Sequence, residues 1–244
     1  MTEERTKYFF VHMQKTAGTA LFRRLRHHFG TSPVYPRPEE QGTPEVVLSV
    51  EHLQARLAEL GDGIEVVTGH FPLATVDLLP GSYRTFTVLR DPVERVLSFL
   101  RHQREVESRF QNATLEQIYA DPVSTGGLVS NHMVKMLAIQ APAMTNGALS
   151  PVSVDDALLA RARTNLVDRI DVMGLQEYFE EFCTDLERIF SWDLGEPVFM
   201  NRTAPAAEPE GLRELIEADN TYDRALYDFA TEHWHRTRPS SPPA

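Results

Sequence analysis

The 244-residue chain predicts an α/β fold on a mostly parallel sheet, with helices on both faces and a helical C-terminal half. Three observations predict it. Short apolar, β-branched runs alternate with amphipathic stretches of helical period through the first half, the signature of strand–helix–strand units. Chemically marked residues, Lys15, His70 and Arg90, each follow one of those runs, as expected where ligands meet the C-terminal edge of a parallel sheet. Beyond residue 110 the pattern is helical except for one short apolar run.

In chain order, KYFFVH (7–12) reads as a buried strand and Thr19 to Phe29 as a helix, with Leu21, Phe22, Leu25 and Phe29 at helical spacing. Residues 33–45, with their prolines and a glycine, read as a loop. Leu53, Leu57 and Leu60 mark a helix opened near Ser49; IEVVT (64–68) and YRTFTVL (83–89) are strands. Asp91 is a good N-cap with Pro92 at the first helical position, so a helix should run from there to about residue 109. Further helices are expected near 114–120, 126–139 and 153–165. A strand is expected at DVMGL (171–175), then helices near 176–190, 208–218 and 220–236. No repeat or linker divides the chain, which reads as one domain over residues 1–236 with a disordered tail at 237–244.

The formal net charge of −11 argues against a general nucleic-acid binder, yet it is unevenly spread. Residues 5–28 carry Arg5, Lys7, Lys15, Arg23, Arg24 and Arg26 against no acid, and residues 84–109 carry six arginines. A single cysteine, Cys183, allows no intrachain disulfide and sits on the apolar side of a helical pattern, where it reads as core filler. No run approaches the ~18 apolar residues of a membrane span, and no apolar leader is visible, so a cytoplasmic protein is expected. No histidine pair has metal spacing, and no metal is expected.

Three stretches carry chemistry. In HMQKTAGTALFRRL, the small residues Thr16, Ala17, Gly18, Thr19 and Ala20 let backbone N–H groups approach an anion at a helix N-terminus, beside the Lys15 charge. The glycine-rich nucleoside-triphosphate pattern is only half met: Lys15-Thr16 matches its end, but Gln14 stands where a glycine belongs. In RDPVERVLSFLRH, Arg90 closes a strand where its guanidinium can fork onto a phosphate. Asp91, Arg95, Ser98 and His102 then follow at a spacing that places them on one helix face, unless that face is merely solvated and Asp91 pairs with Arg95. In VVTGHFPL, His70 should share the sheet edge with Lys15, where an imidazole can take a proton near neutral pH. His12, within or at the end of the first strand, and His27, His28 and His132 are weaker candidates.

These residues resemble a known family, the sulfotransferases that use 3′-phosphoadenosine 5′-phosphosulfate (PAPS), in the branch of the heparan sulfate 2-O-sulfotransferases and related carbohydrate and bacterial enzymes. The loop resembles HIPKTAGTS, with Met13, Gln14 and Ala20 departing from it; the second stretch is similar to RDPxxRxxSxxxH; TGHFPL looks like the segment carrying the catalytic base. SNHMVKMLA, VMGLQEYFEEF and NRTAPAAEPEGLRELIEADN are looser likenesses, and matches run from about residue 8 to 230. The resemblance implies a P-loop-type three-layer fold and transfer of a sulfuryl group to an acceptor hydroxyl. It implies that Lys15, Thr16, Ala17, Gly18, Thr19 and Ala20 hold the 5′ phosphosulfate and that Arg90 and Ser98 hold the 3′ phosphate. His70 would act as general base and Lys15 would stabilise the leaving oxygen. PAPS is then the co-substrate, without a metal. A P-loop kinase with Asp91 as metal ligand, or a nucleotide-binding protein without chemistry, are the alternatives. The acceptor, a glycan, lipid or small molecule, would meet loops 31–47, 103–130 and 140–153. Arg101, Arg104 and Arg109 there suit an acidic glycan, whereas Phe71, Phe99, Phe110 and Met133 suit an apolar one.

Overall fold

The computed structural model describes residues 6–40, 42–121, 127–141, 144, 147–149, 152–197 and 209–238. Its centre is strand β1 (Lys7–Val11), whose aromatic and β-branched residues pair in parallel on both sides, with β3 (Val66–Val67) and with β4 (Tyr83–Leu89). Strand β2 (Val34–Tyr35) extends the sheet beyond β3, and β5 (Val172–Leu175) extends it beyond β4. The order is β2-β3-β1-β4-β5 and all pairings are parallel. The connection leaving β1 runs to one side of the sheet and the one leaving β4 to the other, so the crevice between their C-terminal ends is the topological switch point.

Both faces are covered, because alternate residues of each strand point to opposite sides. Phe9 and Val11 join one core with Leu53 and Leu57 of α3 (Val50–Leu60), Leu137 of α6 (His132–Ala138), Leu166 of α7 (Asp156–Asp168) and Leu226 of α10 (Thr221–Thr237). Phe10, Phe86 and Val88 join the other with Leu21 and Leu25 of α1 (Gly18–Phe29) and with Phe182 and Leu186 of α8 (Phe179–Phe190). Cys183 lies in that second core, free and buried, and burial pushes its thiol up to about 12, as suits inert filler. A third core forms away from the sheet. There α4 (Pro92–Val106) packs on α5 (Leu115–Tyr119) and α9 (Leu212–Asp219) through Val96, Leu97, Leu100, Ile118 and Ile216. This three-layer arrangement is the α/β fold that the alternation of runs predicts. No described helix is long and apolar enough to cross a membrane.

Some expectations need correction. The stretch 33–45, expected as loop, contributes edge strand β2 and the start of α2 (Pro44–Leu48), because β3 supplies a hydrogen-bonding partner that local propensity cannot reveal. Arg95 does not share an exposed face with Asp91: it is wholly buried and donates to the Leu128 and Val129 carbonyls at 3.0 and 2.8 Å. Phe71, Phe99, Phe110 and Met133 are each buried in a core, and none lines the cleft over the strand ends. At the C-terminus α10 ends at Thr237, within a residue of its expected end, and Arg238 lies over the Trp234 ring; residues 239–244 lie outside the described residues. So do residues 122–126 and 198–208, which hold parts of the expected acceptor loop and of the C-terminal motif.

Candidate active site

A cleft of about 1370 Å³ opens over the C-terminal ends of the strands. Lys15, Ala17, Gly18, Thr19, Ala20, His70, Arg90 and Ser98 all line it. Sequence spacing alone had placed the first cation, the imidazole and the arginine at three strand ends, and one cavity brings them together. Thr16 is the exception among the expected residues: it is buried and its hydroxyl donates to the Met13 carbonyl at 2.8 Å, bracing the turn from beneath.

The loop between β1 and α1 has the backbone geometry and charge that an anion can use. Lys15 and Ala17 hold φ of 68° and 67°, left-handed conformations unusual for residues with a side chain. Such turns aim successive N–H groups into one concavity, and strain of this kind persists where the surroundings enforce it. Helix α1 then begins with no side chain capping it and no acid in its first turn, while Arg26, His27 and His28 occupy its last turn. Its dipole therefore presents an unneutralised positive end to the cleft. Arg90 locks the loop from across the switch point, its Nη1 donating to the Lys15 carbonyl at 3.0 Å. Its Nε is buried with no partner among the described residues, a donor that a bound anion would satisfy. Burial, then the neighbouring Arg90, lowers the Lys15 pKa, and burial lowers that of Arg90. Two desolvated cations in contact with one loop are a strong attractor for a polyanion.

His70 is fixed by its own backbone and ring. Its main-chain N–H donates to Val47 at 2.7 Å, and Nδ1 lies 3.0 Å from the His12 carbonyl. A carbonyl can only accept, so Nδ1 carries the proton and Nε2 keeps its lone pair. Gly69, just before it, has φ of 131°, and a Cβ there would fall 2.4 Å from the Phe71 ring, so the turn that presents His70 requires glycine. The His70 pKa is lowered, chiefly by burial and also by Lys15, against the opposing pull of the His12 carbonyl.

Sequence spacing missed several residues of this cavity. His12, read as part of the strand, sits in it with its ring 4.4 Å from that of His70 and stacked on Phe10 at 4.9 Å. Its pKa falls well below the usual value through burial, then His70 and Lys15. Arg213 and Arg224, from the C-terminal helices, line the far end with Glu177 and Tyr227, which hydrogen-bond to each other. Arg213 pairs with Glu94, and Arg224 pairs with Asp91 at 2.7 Å. Their contribution depends on how α9 and α10 fold back, which no local pattern announces. Asp91 uses its other oxygen to cap α4 at the Glu94 N–H, 3.0 Å away, so both oxygens are occupied and it is poorly placed as the metal ligand of a kinase.

The comparisons with known proteins agree with this picture. No family model matches the chain. It is 26% identical to galactose-3-O-sulfotransferase 3 of Bos taurus over 247 residues, covering 93% of the chain and 56% of that protein. Identity to the enzyme of the same name is 27% in Mus musculus (65% of the chain, 39% of that protein) and 26% in Homo sapiens (92% and 56%). The chain thus spans about half the length of these curated relatives or less. Among solved structures, a sulfotransferase from Alicyclobacillus acidocaldarius superposes with a TM-score of 0.51 at 18% identity, over 94% of this chain and 96% of that one, which speaks to the fold. In sequence the chain is similar to the galactose-3-O-sulfotransferases, and its fold is like that of the solved bacterial sulfotransferase.

Proposed function

We propose that the chain is a PAPS-dependent sulfotransferase in which His70 is the general base. The observation that carries this reading is the convergence of Lys15, Arg90, Ser98 and the uncapped N-terminus of α1 on one cleft with an imidazole whose Nε2 is left unprotonated. The residues fit a donor with a phosphosulfate at one end and a second phosphate at the other. The left-handed turn at Lys15 and Ala17 and the N–H groups of α1 hold the first; Arg90 and Ser98 hold the second.

Their order along the sheet edge sets the direction of the reaction. His70 follows β3, Lys15 follows β1, Arg90 follows β4 and Glu177 follows β5, so about 14 Å of strand spacings separate the two ends. The acceptor approaches on the His70 side, and the nucleoside extends toward β5. His70 Nε2 takes the proton of the acceptor hydroxyl as its oxygen attacks sulfur. The bond from sulfur to the bridging oxygen breaks in line, and its electron pair stays on the departing phosphate, beside the Lys15 ammonium. The products are a sulfate ester and adenosine 3′,5′-bisphosphate. A neutral His70 suits this task, because burial keeps its pKa below the usual histidine value. The rate should therefore climb with pH through a value below about 6.5 and level off at neutrality. The relatives' name specifies the 3-hydroxyl of galactose, which makes a sugar hydroxyl the first acceptor to test.

The test is His70→Ala. Sulfate transfer from PAPS should vanish while calorimetry still registers adenosine 3′,5′-bisphosphate at near wild-type affinity. Undiminished turnover in that variant would remove His70 from the mechanism, and absence of nucleotide binding in the wild-type protein would remove the donor.

A further inference from the structure

On the reading of the cleft just given, we infer that Arg90 is a positioning residue for the 5′ loop as well as a ligand of the 3′ phosphate, so that one guanidinium couples the two anionic ends of the donor. The observation behind it is how the loop after β1 is held. Four of the five carbonyls from Val11 to Lys15 accept from side chains. Val11 accepts from the Thr87 hydroxyl at 2.8 Å, His12 from His70 Nδ1 at 3.0 Å, Met13 from the Thr16 hydroxyl at 2.8 Å and Lys15 from Arg90 Nη1 at 3.0 Å. The first three holds are rigid. Thr87 is buried and in register with Val11, Thr16 is buried within the loop itself, and the His70 main chain is tied to Val47. The fourth is a long cation that reaches over from the end of β4 and also lines the cleft.

The peptide that Arg90 holds is the strained one. The Lys15 carbonyl lies between the two left-handed residues, Lys15 and Ala17, with φ of 68° and 67°. Residues with a side chain resist that conformation, so the turn persists only where its surroundings hold it. Releasing the Lys15 carbonyl lets the peptide relax and scatters the N–H groups that an anion would use. Arg90 has donors for both tasks. Nη1 serves the loop, while Nε is buried without a partner among the described residues. No described carboxylate pairs with Arg90, because its neighbours Asp91 and Glu94 are held by Arg224 and Arg213. A guanidinium is a planar, rigid fork, so a phosphate seated on its free edge also fixes the plane that aims Nη1 at the loop. Binding at the 3′ end therefore steadies the 5′ end, and by linkage a 5′ anion tightens the 3′ end by the same factor.

The experiment separates the two tasks with nucleotides that carry one phosphate or two. Isotope-labelled wild-type protein, Arg90→Ala and Arg90→Lys are titrated with adenosine 3′,5′-bisphosphate, adenosine 5′-monophosphate and adenosine 3′-monophosphate, read by NMR so that weak binding is measured. The 5′-monophosphate has nothing to offer the phosphate-binding edge of Arg90. If that edge were the whole role, Arg90→Ala would leave its affinity alone. The expected result is a loss of about fivefold or more, with the amide resonances of Ala17 and Gly18 losing most of the shift that this ligand causes in wild type. Arg90→Lys keeps the charge but has one point of attachment in place of a fork. It should bind the 5′-monophosphate within about twofold of Arg90→Ala, and it is the milder change should the first variant not fold. In wild type the 3′-monophosphate should also move the Ala17 and Gly18 amides, and in Arg90→Lys it should not. Unchanged 5′-monophosphate affinity in Arg90→Ala would overturn the inference. So would wild-type affinity for it in Arg90→Lys, since charge alone would then explain the loss, and so would a 3′-monophosphate that leaves both amides unmoved in wild type. Failure of the wild-type protein to bind adenosine 3′,5′-bisphosphate would instead sink the sulfotransferase reading on which the inference rests.

Discussion

At the scale of single residues, the contact between Gly18 and His12 shows how the site is assembled. A Cβ at position 18 would fall 1.7 Å from His12 Nε2, so the imidazole occupies the space that any other residue at the start of α1 would need. The glycine is there for room, not for backbone freedom: it is absent from the positions of positive φ, where Lys15 and Ala17 stand instead. Gly18→Ala should therefore force the ring or the loop aside, costing about 1–3 kcal/mol of stability as overpacking does and weakening adenosine 3′,5′-bisphosphate binding. Adding His12→Ala should restore much of both, since it removes the ring that clashes. Thermal melts and calorimetry on the two single variants and the double one form the cycle, and additive losses would show that the ring is not the obstacle. The same pair marks the limit of what the sequence discloses. Lys15, His70 and Arg90 were legible because each ends a recognisable strand. His12 was not, because a histidine at a strand terminus carries no sign of which way its ring turns. Arg95 was misplaced for a related reason: spacing fixes its angle around the helix but not the carbonyls of Leu128 and Val129 that draw it inward.

At the scale of elements, α4 is the piece whose role exceeds its local pattern. Its start was legible from Asp91-Pro92, and the side chain does cap the Glu94 N–H. That the helix lines the cleft was foreshadowed by Ser98 and His102 on one face beside Arg90, but the third core that holds it there was not legible, because it depends on Leu212 and Ile216 from α9, far along the chain. Strand β2 escaped notice in the same way: two residues among prolines become a strand only through register with Val66 and Val67. Asp91 joins the helix to the C-terminal half, since its second oxygen holds Arg224 of α10. The two contributions can be separated. Asp91→Ala loses cap and ion pair together and should cost about 1–2 kcal/mol. Asp91→Asn keeps an oxygen for the cap and loses only the pair, which is about a third exposed and worth at most about 1 kcal/mol. Denaturant melts should rank wild type, Asn and Ala in that order, with Asn closer to wild type. Equal losses for Asn and Ala would assign the stability to the ion pair instead.

At the scale of the whole molecule, the fold accumulates histidines where protons are unwelcome. His12 and His70 sit together in the cleft, and His132 is wholly buried beside Arg95 and Lys135. Burial is the leading cause of the lowered pKa of all three, with His70 and Lys15 adding to it at His12, and Arg95 and Lys135 at His132. The sign follows from linkage. In the unfolded chain each titrates near the ordinary histidine value of about 6.5, while the folded protein keeps each neutral to lower pH. Below about 6.5 the unfolded state therefore binds more protons, and stability drains away as pH falls until the folded values are reached. Above that point these groups contribute no slope. Asp223, whose carboxyl is raised by burial, pulls the other way in acid and blunts the lower part of the curve. Melting temperature should thus be level from about pH 8 to 7 with respect to these histidines and decline through about pH 6.5 to 5.5. Adenosine 3′,5′-bisphosphate tests the cleft's share directly. Bound anion beside His12 and His70 favours their charged forms, so the ligand's stabilising effect should grow as pH drops through the same window. A melting temperature that holds steady or rises on acidification, or a ligand effect that shrinks there, would contradict this assignment of the acid sensitivity to the buried imidazoles.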